Sequence, residues 1–152
     1  MNKIILIFIA LFIISGCSYK PILVDKKNDI TFENISSENK SKIDIILKKN
    51  LLERSSNTNK NSYDLYFSTK DEKEIVSSNE NGDPTVFKIK IVTNYSLIQN
   101  DKIIFTNKIV KQVNYNNIND KFELLKYEEN ILDNLLRNIS LEILTSITIA
   151  VK

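Results

Sequence analysis

The sequence lacks histidine and tryptophan and contains one cysteine, Cys17, and two glycines, Gly16 and Gly82. Without histidine, Ser-His-Asp and Cys-His nucleophilic sites are excluded, and so are zinc sites built on histidine and cysteine clusters. Two glycines cannot build a glycine-rich phosphate loop, and one cysteine cannot close a disulfide within the chain. Carboxylate catalysis remains open, but no acidic pair stands out from the surface charge. We therefore expect a protein that is not an enzyme and that needs no metal or cofactor.

The composition is that of one folded domain. Of the 152 residues, 42% are hydrophobic and 26% are charged, which is ordinary for a globular chain. The formal net charge is +2, and it falls to about +1 if the segment containing Lys3 is removed. So small a charge argues against binding to nucleic acid through bulk electrostatics.

What is present at the N-terminus is an export signal. Eleven apolar residues, 4–14, follow Lys3 and precede Ser15, Gly16 and Cys17. A membrane-spanning helix needs roughly 20 apolar residues, so this run is too short to span. The small pair before Cys17 resembles the lipobox of bacterial lipoproteins, whose cysteine receives a diacylglyceryl group and whose amine receives a fatty acid such as palmitate. An ordinary secreted protein with a chance cysteine near the cleavage site is the alternative.

The lipobox divides the chain into three parts. Residues 1–16 are predicted to be a signal peptide, residues 17–29 an acylated tether beginning at Cys17, and residues 30–152 a folded domain of α+β type. In enteric-type bacteria, an aspartate directly after the lipobox cysteine resembles an inner-membrane retention signal. In this chain that position is Ser18, so the signal is absent. We therefore expect a lipid-anchored protein at the periplasmic face of the outer membrane.

Hydrophobic periodicity predicts the order β-α-β-β-β-α. Strands are indicated where apolar residues alternate, and helices where they recur every three to four residues. The first helix is expected to start at Ser36 or Ser37, and the second at Asp120, with Glu123 completing a capping box. The predicted strands cover residues 30–35, 63–75, 86–98 and 103–115, and the predicted helices follow residues 36–38 and 120.

These elements favour an α+β fold, a two-layer sandwich. A four-stranded, mostly antiparallel sheet with one apolar face would carry two helices packed on that face. The alternation slips in the last strand, because Asn107 and Lys111 share the parity of Ile109 and Val113. Either a β-bulge near Asn107 or an irregular edge strand would account for this slip.

The arrangement resembles a known family, the LPS-assembly lipoprotein LptE in its alphaproteobacterial form. Residues 17–23, Cys-Ser-Tyr-Lys-Pro-Ile-Leu, are similar to that family's Cys-Gly-Phe-Arg/Lys-Pro-Leu-Tyr start, with Ser18 replacing the glycine. Residues 85–97 and 102–104 resemble its central hairpin, and residues 114–139 resemble the approach to its last helix and the course of that helix. The alanines common in that helix are mostly leucine, asparagine or serine here. The resemblance covers nearly the whole mature chain.

The resemblance implies a function without chemistry. LptE sits as a plug inside the outer-membrane β-barrel LptD, helps that barrel assemble, and binds lipopolysaccharide (LPS). The implied partners are therefore an LptD-type barrel, LPS and the membrane that holds the lipid anchor.

Four lysines are candidates for contacts to LPS phosphates, because cations suit phosphate groups. Each could equally be a solvated lysine on an exposed sheet face. They are Lys88, Lys90, Lys102 and Lys108.

Two other functions remain open at this point. The chain could be another lipoprotein binding module, such as a pilotin or an accessory of phospholipid transport, with a different partner. It could also be a carboxylate enzyme, in which case single acidic substitutions would abolish an activity without unfolding the domain.

Overall fold

A computed structural model describes residues 30–55 and 62–151 of the protein. The predicted signal peptide, the tether and Cys17 lie outside the described residues. The elements are β1 (Thr31–Ser37), α1 (Lys42–Arg54), β2 (Ser62–Ser78), β3 (Pro84–Gln99), β4 (Lys102–Asn116) and α2 (Lys121–Ala150).

The four strands form one sheet in the order β1-β2-β3-β4. The first two strands are parallel, because α1 carries the chain back between them, and the other two pairs are antiparallel. With two helices and a mostly antiparallel sheet in the order β-α-β-β-β-α, the structure confirms the predicted α+β fold class.

The core lies between the sheet and the helices. Alternate residues of β2 and β3, including Leu65, Phe67, Ile91 and Leu97, are fully buried on the helix side of the sheet. The helices contribute leucines and isoleucines at helical spacing. Their fully buried members are Leu47, Leu51, Leu136, Ile139, Ile143, Leu144 and Ile147.

The direction of α2 follows from its contacts. Glu128 near its start bonds to Tyr115 near the end of β4, whereas Ser146 near its end bonds to Tyr95 near the end of β3. The helix therefore runs back along the sheet towards the turn between β3 and β4. Its 30 residues span about 45 Å at a rise of about 1.5 Å per residue.

The two helix starts differ in how well the sequence predicted them. Asp120 caps α2 by accepting hydrogen bonds from the amides of Phe122 and Glu123, which confirms the predicted N-cap, while the capping box with Glu123 stays a prediction. For α1 the prediction of Ser36 or Ser37 was wrong, because both residues belong to β1. The cap is Ser41, which forms a reciprocal capping box with Asp44.

Both hairpin turns use backbone conformations with positive φ. Gly82 has φ +86° in the turn between β2 and β3, and the side chain of Asn79 accepts from the amides of Asn81 and Asp83 there. Between β3 and β4, Asn100 and Asp101 have φ 52° and 60°. Two successive left-handed residues are typical of a type I′ turn, which matches the twist of the strands.

The irregularity expected in β4 lies closer to the turn than Asn107. Pairing is regular from Phe105 to Asn116, and Asn107 stands directly opposite Tyr95. The register shifts between Phe105 and Ile103, which leaves Ile104 as the extra residue. The prediction of a bulge near Asn107 is therefore wrong. The alternative prediction was an irregular edge strand, and β4 does lie at the edge of the sheet.

The sheet is uneven at its other edge. Six of the seven residues of β1 pair with Ser62–Phe67, the first part of the 17-residue strand β2. Within the described chain, no strand pairs with the outer edge of β2 beyond this part, and its residues 70–78 are exposed.

The burial pattern predicts which isoleucines of α2 stabilise the fold. Ile143→Ala should lower the free energy of unfolding by about 2–5 kcal/mol, because Ile143 is fully buried and its loss leaves a cavity. Ile149→Ala in the same helix is the matched control; Ile149 is 72% exposed, so the change should stay within about 0.5 kcal/mol. Urea unfolding followed by circular dichroism measures both, and equal losses would contradict the packing described above.

Candidate functional site

The sheet has a second face, turned away from the helices, which we call the open face. Its side chains are mostly polar, in contrast to the apolar residues that alternate with them on the helix side. The cross-strand pairing places the following residues there: Tyr66, Ser68, Lys70, Glu72 and Glu74 of β2; Lys88, Lys90, Val92, Asn94 and Ser96 of β3; and Thr106, Lys108, Val110, Gln112 and Asn114 of β4.

Two of the predicted lysines lie side by side on the open face but are already paired. Lys88 Nζ lies 2.6 Å from Glu74 Oε2, and Lys90 Nζ lies 2.9 Å from Glu72 Oε2. Each pair joins residues that stand directly opposite each other on β2 and β3. The hydrogen bond and charge of Lys88 hold the pKa of the Glu74 carboxyl below its usual range. Those of Glu72 likewise raise the pKa of Lys90.

The other two predicted lysines have no such partner. Lys108 lies on the open face opposite Asn94, and Lys102 pairs with Gln99 beside the turn between β3 and β4. Both are exposed. Neither forms an ion pair with any residue of the part of the chain that the structure describes.

The four lysines do not converge on one site. The pairing separates Lys88 from Lys102 by 11 residue positions along the ladder, or roughly 36 Å at about 3.3 Å per residue. Lys108 lies between them. Of the four predicted lysines, the open face therefore holds the neutralised pair Lys88 and Lys90 and the free Lys108, whereas the free Lys102 lies beside the turn between β3 and β4.

The helix side of the sheet contains a polar cluster that sequence reasoning missed. Glu128 of α2 accepts a hydrogen bond from the Tyr115 hydroxyl at 2.7 Å and from Lys73 Nζ at 2.6 Å, both on the same oxygen. The Lys73 ammonium also lies 4.5 Å from the centre of the Phe87 ring. The available signal was parity, because Lys73 shares the parity of Phe67 and Ile75 and so faces the helices.

This cluster changes the acidity of Tyr115. Burial, together with the hydrogen bond to Glu128 and its negative charge, raises the pKa of the Tyr115 hydroxyl well above its usual range. Its ring stacks on Phe87, with centres 5.7 Å apart, and meets the edge of Tyr127. The cluster therefore ties the first turns of α2 to the sheet rather than presenting a reactive group.

Further along α2, two more polar contacts hold the helix to the sheet, one at β4 and one at β3. Lys111 forms an ion pair with Glu142, so it points towards the helix and away from the open face. The Tyr95 hydroxyl bonds to Ser146, and burial raises its pKa although its hydrogen bonds to Ser146 and Asn107 oppose this. Asn107 and Lys111, which broke the apolar alternation of β4, thus have polar partners on the helix side.

Metal-ligand clusters, clefts and apolar helices are further features of the described residues that bear on function. No group of three or more potential metal ligands occurs among residues 30–55 and 62–151. An open cleft of about 870 Å³ lies between the β2–β3 turn and the start of α2, and it is lined by Phe87, Leu124 and Leu125 together with Lys73 and Glu128. Within the same described ranges, no helix is both long and apolar enough to span a membrane.

Comparison with known proteins finds likeness in structure but not in sequence. No family model matches the chain, and no curated protein sequence matches it either. Its structure is similar to that of the rare lipoprotein B from Shewanella oneidensis, with a TM-score of 0.60 and 12% identity, over 77% of this chain and 92% of that one. Lipoprotein B from Nitrosomonas europaea gives 0.61 and 16%, over 83% and 88%.

A minor lipoprotein from Acinetobacter baumannii is similar as well, with a TM-score of 0.54 and 10% identity, over 78% of this chain and 92% of that one. In all three cases the likeness extends over most of both chains. The protein therefore has the fold of these bacterial lipoproteins.

The Tyr115–Glu128 contact predicts an alkaline weakness of the fold. Because the folded state holds the Tyr115 proton above the ordinary tyrosine pKa of about 10, the stability from this contact is present below about pH 10 and is lost as pH rises further. Tyr115→Phe should cost roughly 1–3 kcal/mol at pH 8, since a buried bond to a charged group is lost. It should also make stability fall less steeply above pH 10.

Thermal unfolding of both proteins between pH 8 and pH 11 measures the two effects. Tyr66→Phe on the open face is the matched control, because Tyr66 is 40% exposed, and it should follow the unsubstituted chain at every pH. Parallel curves of stability against pH for the unsubstituted chain and Tyr115→Phe would contradict the role given to the Tyr115–Glu128 hydrogen bond.

Proposed function

We propose that the protein is an outer-membrane lipoprotein that assists the assembly of LPS at the cell surface. It would act as plug and assembly partner of an LptD-type β-barrel, and it would bind LPS. One coincidence carries the proposal: a lipobox at Cys17 precedes a domain whose fold is that of several bacterial lipoproteins.

The anchor would be the acylated Cys17. Each buried CH₂ group contributes about 0.8 kcal/mol, and stable attachment takes two or more acyl chains. The domain would then remain at the membrane through its first mature residue alone.

The open face suits a place inside a barrel. The interior of an outer-membrane barrel is polar, so a plug needs a polar exterior that matches it. The pairs Lys88–Glu74 and Lys90–Glu72 keep the open face polar while cancelling its charge locally. Gln112 and Asn114 stand opposite Lys90 and Lys88 on β4, and Asn94 lies further along the same face; such polar groups can form hydrogen bonds with a polar wall.

LPS phosphates would be expected first at the free cations. Lys102 and Lys108 can accept an anionic partner without losing an existing one. Lys88 and Lys90 would have to exchange Glu74 and Glu72 for the phosphate, which offsets much of the gain. The supporting observation is thus the difference in pairing between the two sets of lysines.

Affinity purification in mild detergent tests the barrel partner. The tagged, acylated full-length protein should bring down an LptD-type barrel in about equal amount, identified by mass spectrometry. An unrelated outer-membrane lipoprotein with the same tag is the control. If the protein is folded and membrane-bound but no such barrel follows it, the proposal fails, and another lipoprotein binding module with a different partner takes its place.

Paired substitutions test the lysines. The double variant Lys102→Ala with Lys108→Ala should weaken binding to purified LPS by roughly 100-fold or more, because two contacts worth about 1.5 kcal/mol or more each are lost. Lys88→Ala with Lys90→Ala is the matched control on the same sheet and should weaken binding less. The opposite order, or no effect of either change, would contradict this assignment.

A further inference from the structure

The described fold has one end at which the tether joins it, which we call the tether end. The described chain begins there at Ile30, because β1 starts beside the start of β2, with Thr31 opposite Ser62. β3 finishes at the same end, since Asp64 pairs with Ile98, and the Asn100–Asp101 turn follows directly. The other end carries the turn between β2 and β3 and the start of α2.

Large apolar side chains project into solvent at the tether end. Ile103 and Ile104, next to the β3–β4 turn, are 67% and 46% exposed, and Ile149 in the last turn of α2 is 72% exposed. The unpaired Lys102 lies beside the two hairpin isoleucines, and Asp101 is the acidic residue of the turn. A hairpin tip with neighbouring isoleucines and a free cation suits an interface of acyl chains and phosphate headgroups.

Exposed apolar residues alone do not select this end. The opposite end also has them, including Phe122 at 66% and Leu125 at 61% exposure. The deciding observation is therefore where the chain leaves the fold, and how long the segment before it is.

The tether is short compared with the sheet. Twelve residues, 18–29, separate Cys17 from Ile30. A chain of twelve residues reaches at most about 40 Å. The ladder from the Asp64–Ile98 pair to the Ser78–Pro84 pair adds about 46 Å at about 3.3 Å per residue. When the tether end lies close to the anchor, the opposite end of the domain therefore lies a full sheet length further along the strands.

We propose that the tether end rests on the membrane leaflet that holds the lipid anchor, with Ile103 and Ile104 in the lipid interface and Lys102 at the headgroup phosphates. The proposal rests on the acylation of Cys17, which belongs to the proposed function, and is independent of the barrel and of LPS. Because the anchor already holds the domain at the membrane, this contact forms as if it were intramolecular. It can therefore form even if it is too weak to recruit the domain from solution.

The absence of tryptophan from the chain provides a direct reporter. The acylated full-length variants Ile103→Trp and Phe122→Trp each carry a single tryptophan, at sites of nearly equal exposure and at opposite ends of the domain. Both are placed in liposomes of phosphatidylethanolamine and phosphatidylglycerol, with and without brominated phosphatidylcholine as a quencher. Flotation first establishes that the protein is bound to the liposomes.

The expected result is quenching at one end only. The Ile103→Trp chain should lose roughly half of its emission, as a side chain about 5–10 Å deep in the interface would. The Phe122→Trp chain should keep its emission. Equal quenching of the two, or none in either while both float, would overturn the proposal, and so would failure to float, because the anchor would then be absent.

A second substitution separates contact from proximity. Ile104→Asp in the Ile103→Trp background should reduce the quenching, because it places a charge in the lipid interface. Leu125→Asp in the same background is the matched control at the opposite end and should leave the quenching unchanged. If Ile104→Asp has no effect, the tryptophan at position 103 is near the membrane but the hairpin tip does not contact the lipid. The proposal then fails. No barrel or LPS is present, so the result is independent of the barrel purification.

Discussion

The structure depends on the burial of one face of the sheet beneath two helices, while the other face is left uncovered by the part of the chain that the structure describes. The fully buried residues of β2, β3, α1 and α2 all belong to this single interface. Because a chain of this kind has no disulfide within the domain, the interface must supply most of its stability. The polar clusters around Glu128 and Glu142 then fix where α2 lies along the sheet.

The open face of the sheet is the feature of this arrangement that matters most for function. Because no helix among the described residues covers it, this face must be compatible with water or with a polar partner, and cross-strand pairs such as Lys90–Glu72 meet that need. The fold thus separates two tasks between the two faces of its sheet: one holds the domain together, and the other is left to contact water or a partner.

Periodicity made the layers of this fold predictable. The alternation of Tyr63, Leu65 and Phe67 and the helical stripe ending in Ile147 indicate which residues face the core, and both are buried. The N-cap of α1 was not predictable, because three serines precede the helix and each can accept the same hydrogen bonds. The ion pairs of Lys88 and Lys90 were also hidden, since they depend on the register between two strands, which the turn and the bulges decide.

The shortness of β1 affects how readily molecules of this protein could pair through their sheet edges at high concentration. Beyond Phe67 the outer edge of β2 has no strand beside it within the described chain, and free edges invite pairing between molecules. The run from Lys70 to Glu74 places five consecutive charged residues along that edge. A second copy that paired parallel and in register would bring like charges together, so the charged run disfavours that pairing between molecules.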